Sequence, residues 1–373
     1  MKKHLLRLAF INGLLFLSIC IFAQEYSDFY FTRVNGENGL SESNVKAILQ
    51  DSYGFMWFGT KNGLNRYDGT SILQFDCDDL EEGTGNHNIG ALFEDKERNL
   101  WVGTDRGVYI YNPAVDVFKR FKIASSEGIT LDNWVAEILS DSLDNIWVLI
   151  PDQGLFRYKD GKVHHYSLID KDNLKNNNPE CICINEQGEV WVGTSGIGLF
   201  KYNYRDDNFE QYLTDRMGRS LIDKTIISIC FQKENAILGI HEGDLLKYNT
   251  RTDELSEVSF LGEKKTFLRD VMCFGDEIWV GSLHGIFIIN EKENNVIHLK
   301  EDLMRSFSLS DNSIYSIYKD YEGGIWIGTM FGGVNYLPNR ILTFAKYVPG
   351  SDPYSLNTKR IRGLAEDNNG CIW

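Results

Sequence analysis

Four acidic residues, Asp51, Asp95, Asp141 and Asp320, stand at the same place in repeated copies of one motif, each shortly before a tryptophan. Carboxylates are the groups with which a protein hydrolyses a glycosidic bond, two of them facing one sugar at a defined separation. Here the acids follow the repeat or scatter through loops, and no pair is distinguished. Recurrence at a turn points instead to local chemistry, with Asp side chains capping turns. His241 and His284 are isolated in sequence and read as surface histidines rather than metal ligands. Nothing has the spacing of a zinc site. No catalytic residue, metal ligand or cofactor is expected in this segment.

Binding chemistry is better represented. Trp134 is the only tryptophan off the repeat register described below. Two readings of it stand side by side: a ring that stacks on the apolar face of a sugar, or ordinary packing that plugs a central channel. Aligned on the repeat, the residues that open successive inner strands are Asn44, Asn88, Trp134, Asn178, Lys224, Arg269 and Ser313. The turns between second and third strands offer Lys61, Asp105, Arg106, His241, His284 and Phe331. In a propeller both sets open on one face. The candidate ligand contacts are therefore Asn44, Lys61, Asn88, Asp105, Trp134, Asn178, Lys224, His241, Arg269 and His284. Amides and cations would satisfy hydroxyls or carboxylates there.

The elements that would position these groups follow from periodicity. Trp57, Trp101, Trp147, Trp191, Trp279 and Trp326 head similar strings, and Ile237 fills the tryptophan place in a degenerate copy. The intervals are 44, 46, 44, 46, 42 and 47 residues, and Trp373 follows Trp326 by another 47. Within a copy, Val45–Leu49 reads as an inner strand, Asp51 with Gly54 as a tight turn, and Met56–Thr60 as a second strand. Asn62-Gly63 is a hairpin signal, followed by strands at Leu64–Tyr67 and Ile72–Phe75. Four short antiparallel strands per repeat of this length make a propeller blade. The tryptophans are expected to pack between blades. A ring must hide its edge strands, and Phe29–Arg33 resembles the outer strand of a blade, as does Ile341–Lys346. The expected fold is all-β: a seven-bladed propeller of four-stranded antiparallel blades over residues 24–340, closed by the N-terminal strand. Residues 341–373 restart the pattern as the first strands of a second, truncated propeller.

Lys2, Lys3 and Arg7 precede an apolar run from Leu8 to Phe22, and Ala23 precedes a polar stretch, so residues 1–23 read as a signal peptide. An uncleaved anchor is the alternative reading. The net charge of −15 argues against a broad nucleic-acid surface. Of seven cysteines, Cys20 lies in the leader. Cys181, Cys183, Cys230 and Cys273 sit in apolar strand-like runs, and the favoured reading makes them small buried hydrophobes rather than disulfide partners. Aromatic residues at 13% and 34 glycines against 6 prolines suit strands punctuated by turns.

The string G-L-S-x-x-x-V-x-x-I-x-x-D-x-x-G-x-x-W-x-G-T-x-x-G-L-x-x-Y-D-G, satisfied from Gly39 to Gly69, resembles the two-component regulator propeller repeat. The third copy departs from it at Val148-Leu149-Ile150, and the fifth lacks the tryptophan. The resemblance implies the N-terminal periplasmic sensor part of a Bacteroidetes-type hybrid two-component system, responding to glycans and regulating polysaccharide use. It further implies a second propeller, a β-sandwich, a transmembrane helix, a histidine kinase and a receiver beyond residue 373. The implied partners are an oligosaccharide or other small ligand and a second copy of the full-length protein, with no nucleic acid bound by this segment and membrane contact only through the later helix. The competing reading is a secreted propeller enzyme, a lyase or glycosidase.

Overall fold

The computed structural model describes residues 29–75, 88–122, 128, 130–168, 178–259, 266–305, 307–339, 356, 360–368 and 373. The expected leader, the segment Ile341–Lys346, and Cys20, Cys77 and Cys371 lie outside these residues. The described strands form seven four-stranded antiparallel blades. Blade 1 consists of Val45–Gln50, Met56–Thr60, Gly63–Tyr67 and Ile72–Phe75, which are inner to outer strand in chain order. The inner strands of blades 2 to 7 are Ile89–Glu94, Glu137–Ser140, Pro179–Ile184, Ile222–Gln232, Leu268–Phe274 and Ile314–Lys319. The outer strand of blade 7 comes from the other end of the chain. Thr32–Val34 pairs antiparallel with Val334–Leu337, matching Arg33 to Asn335, and so covers an edge that would otherwise be open. No described helix is long and apolar enough to cross a membrane.

The repeated Asp and Trp explain each other. Asp51 Oδ1 accepts from the backbone N–H groups of Tyr53 and Phe55, and its Oδ2 accepts from Trp57 Nε1 at 2.7 Å. Asp95–Trp101, Asp141–Trp147 and Asp320–Trp326 repeat the side-chain bond at 2.8, 3.0 and 2.8 Å. One carboxylate thus closes a five-residue turn and satisfies the only polar atom of a buried indole, which would otherwise be left unpaired in the core. The indole then packs forward onto the next blade: Trp57 on Tyr111, Trp101 on Tyr158, Trp147 on Tyr202 and Trp191 on Tyr248. Trp326 meets Tyr67 of blade 1, which carries the same contact across the closure. Beyond residue 356, Trp373 Nε1 donates to Asp367 at 3.0 Å and Trp373 exchanges backbone bonds with Ala365, the same local pattern once more.

Three features differ from the sequence reading. The hairpin after Thr60 turns on Lys61 and Asn62, with Gly63 at φ +95° already paired to Thr60, one residue earlier than the Asn-Gly signal suggests. Blades 4 and 5 merge into one eight-stranded sheet, because Val190–Ile197 runs on past its turn and pairs Ser195 with Thr225. Finally, Cys230 and Cys273 form a disulfide, with Cα atoms 5.7 Å apart. Pairing along one strand is geometrically poor, but these two lie on the inner strands of neighbouring blades, where the ring brings them together. Cys181 and Cys183 remain free thiols whose pKa values burial pushes up, Cys183 to about 12.

Candidate functional site

In six of the seven blades the second-to-third-strand turn is tied to the loop that opens its own inner strand; in blade 3 the donor place is Pro151, which has no N–H. Lys61 N donates to Asn44 O, Asp105 N to Asn88 O, Ser195 N to Asn178 O and Met330 N to Ser313 O. Thr60, Thr104, Thr194, Ser282 and Thr329 hold these turns from below, each hydroxyl donating to the carbonyl of the glycine three or four residues on. The result is a rigid rim around the channel mouth.

The same bonds correct two positions. His241 N donates to Thr225 O and Leu283 N to Phe267 O, so Thr225 and Phe267, not Lys224 and Arg269, occupy the places equivalent to Asn44. At Lys224 the cause is a shorter first turn, whereas Arg269 simply lies two residues past the rim place. Leu49 pairs with Trp57 in blade 1, whereas Cys230 pairs with Ile237 and Met272 with Trp279, one residue fewer. Alignment on the tryptophan is therefore displaced by one in blades 5 and 6.

Arg269 instead falls on a second column, just inside the rim. In six of the seven blades the inner-strand register breaks around one residue there, at Lys46, Gly90, Glu180, Ile227, Arg269 and Tyr315, whereas Glu137–Ser140 of blade 3 pairs without a break. A bulge releases a residue from the ladder and re-aims its side chain, here into the channel. Lys46 Nζ lies 4.6 Å from the centre of the Trp134 ring and 5.9 Å from that of Tyr315, and the Arg269 guanidinium is 5.7 Å from Tyr315. Burial first, then the charges of Lys61 and Arg269, lower the Lys46 pKa, while Asp105 opposes them. Side chains from blades 1, 2, 3, 6 and 7 thus meet in one cluster. Trp134 is half-buried and lies against Gly90, where a Cβ would come within 2.6 Å of the indole. A glycine is needed for that approach.

Of the ten candidates, Lys61, Asp105, Trp134 and Arg269 join this cluster, and Asn44 and Asn88 border it. The side-chain oxygens of Asn44 and Asn88 are buried with no hydrogen-bond partner. The other four are engaged elsewhere. Asn178 donates to Asp152, Lys224 pairs with Asp244 at 3.3 Å, His241 packs on Phe267, and His284 bonds Thr266 Oγ1 at 2.6 Å. An open cleft of about 450 Å³ adjoins the rim at the closure seam, lined by Arg33, Glu37, Ser310 and Phe331 among others.

Below the cluster the structure distinguishes a carboxylate pair that the sequence did not. Glu137 accepts from Ile182 N at 2.7 Å, and Asp270 from Ile317 N at 2.8 Å and Ser228 Oγ at 3.1 Å. Each acid bridges to the inner strand of the following blade. Both retain a little surface on the channel but are crowded by protein, and this desolvation raises Glu137 to about 8, assisted by the charge of Asp270, and Asp270 to about 6. Among the described residues no group of three or more His, Cys, Asp or Glu side chains could hold a metal ion.

Comparison with known proteins agrees with this architecture. The two-component regulator propeller model matches residues 39–62, 83–106 and 308–331. The chain is 26% identical over 229 residues to Histidine kinase P4 of Formosa agariphila, covering 59% of this chain and 17% of that protein. It is 25% identical, with a TM-score of 0.73, to the extracellular domain of a hybrid two-component system of B. thetaiotaomicron, covering 92% of this chain and 46% of that one. A streptogramin B lyase shares the fold at 15% identity and a TM-score of 0.63, over 83% of this chain and 97% of the lyase. The chain therefore spans under half the length of the first two relatives. The chain thus carries matches to the two-component regulator propeller repeat on blades 1, 2 and 7 of a single ring.

Proposed function

We propose that this chain is the extracytoplasmic, periplasmic sensing propeller of a hybrid two-component histidine kinase, that its ligand is an oligosaccharide, and that the parent protein regulates polysaccharide use. The observation that carries the reading is the channel mouth. An aromatic platform, Trp134, sits beside cations and two orphaned amide oxygens, on a rim fixed by backbone bonds. Apolar sugar faces stack on such rings, and sugar hydroxyls supply donors to unpaired acceptors. Likeness to the extracellular domain of a hybrid system supports the sensor part. Anchoring in the inner membrane, dimerisation and phosphoryl transfer would reside in the parent protein beyond this segment. Ligand occupancy would act by favouring one of two arrangements of the paired receptors.

A thermal-shift screen of the 373-residue chain against oligosaccharides tests this reading. A ligand at 100 times its Kd stabilises the fold by about 2.7 kcal/mol. A stabilising sugar recovered with unchanged mass supports the sensor. A sugar whose mass changes overturns it in favour of a propeller enzyme.

A further inference from the structure

The mouth is electrically lopsided. Lys46, Lys61 and Arg269 gather on the side of blades 1, 6 and 7, close enough for Lys61 and Arg269 to depress the Lys46 pKa. Among the described residues none of these three cations makes an ion pair with a carboxylate. Asp105 is the one acid acting on the Lys46 ammonium. Glu180 and Asp152 belong to blades 4 and 3, across the ring, and burial together with the Asp152 charge raises the Glu180 pKa. A cluster of like charges held partly out of water is unfavourable unless something neutralises it. Lys46 and Arg269 are placed by bulges and braced on aromatic rings rather than left free in solvent.

Building on the glycan-sensor reading, we propose that the mouth selects an acidic sugar unit, one whose carboxylate or sulfate sits among Lys46, Lys61 and Arg269 while its ring lies on Trp134. On binding, the Asn44 and Asn88 amides would turn their buried, unpaired oxygens outward to accept from its hydroxyls. An acidic peptide would match the cations and could donate N–H groups to the two amide oxygens, but its backbone lacks the flat C–H face of a pyranose that lies on Trp134. A neutral sugar would match the platform and the amides but leave the cations uncompensated. The acidic sugar satisfies all three, and the Glu180–Asp152 side repels the same anion, which fixes its orientation.

The test is isothermal titration of the 373-residue chain with a galacturonic acid trimer, a sulfated galactose trimer and the neutral galactose trimer. At least one charged trimer should bind about ten-fold or more tighter than the neutral one, a difference of one charge-assisted contact. Its affinity should fall as salt rises, and the charged trimer that wins tells carboxylate from sulfate. Lys46→Met should weaken that binding about ten-fold without lowering Tm, because it removes a desolvated charge. Lys61→Gln, on the exposed turn, should weaken it without threatening the fold. Equal affinity for neutral and charged trimers, unchanged by either substitution, would overturn the acidic-sugar inference and leave the glycan sensor standing. Binding of none of the three, with an acidic peptide bound instead, would overturn both.

Discussion

Replacing Glu137 by Gln should make the fold more stable, and more so the higher the pH. Gln keeps an oxygen to accept from Ile182 N and leaves its amide group toward the channel. Only the ionisable proton is lost. Folding raises the Glu137 pKa from 4.5 to about 8, so the native state holds a proton that the unfolded chain has released. Stability then falls with rising pH between those two values, is unaffected below them, and levels off above about 8. At about 1.36 kcal/mol per pH unit, the accumulated penalty at pH 9 is on the order of 5 kcal/mol. For a ring of this size that corresponds to roughly 7 °C in Tm. Thermal melts of both proteins at pH 5, 7 and 9 should show curves that nearly meet at pH 5 and diverge at pH 9. Asp270, raised to about 6, gives the variant a residual slope of the same sign between its ordinary value and that one. Parallel pH profiles for wild type and variant would refute the reasoning, since Glu137 would then be ionised as freely in the fold as outside it.

Removing Asp51 as Asp51→Ala strips an acceptor from two backbone N–H groups and one buried indole N–H. Urea unfolding should show a loss of about 2–3 kcal/mol, and Asp51→Asn, which keeps one acceptor oxygen, a smaller one. The Cys230–Cys273 bond spans 43 residues, so reduction should cost about 4 kcal/mol by loop entropy. A peptide map without reductant should join those two cysteines, and added dithiothreitol should lower the urea midpoint.

The blades were legible because Asp, Trp, Gly and Thr recur for a repeated physical reason: an anchored indole and a pinned hairpin. Even the degenerate blade 5 could be placed, since Ile237 fills the tryptophan position and is fully buried there. The site was legible only in part. Asn44, Lys61, Asn88, Asp105 and Trp134 stand on loops whose place follows from the repeat. Lys46, Tyr315, Glu137 and Asp270 lie within inner strands, where a single sequence does not reveal a bulge. Their signal was a column two or three places after the rim residue in each copy, readable once the first turns are known to differ in length. That difference also misplaced Lys224 by one, while Arg269 lies two places past the rim residue Phe267. The disulfide escaped for a related reason: closeness between blades depends on ring geometry, not on spacing along a strand.

The central claim is that the channel mouth, through Trp134, is where ligand is sensed. Its most direct test is titration of a saccharide that binds the wild-type chain into Trp134→Ala, with a thermal melt of both proteins as a fold control. The account predicts a cooperative melt for the variant and loss of at least ten-fold in affinity, about 1.4 kcal/mol. Wild-type affinity in a folded Trp134→Ala protein would contradict it and place the ligand elsewhere on the molecule.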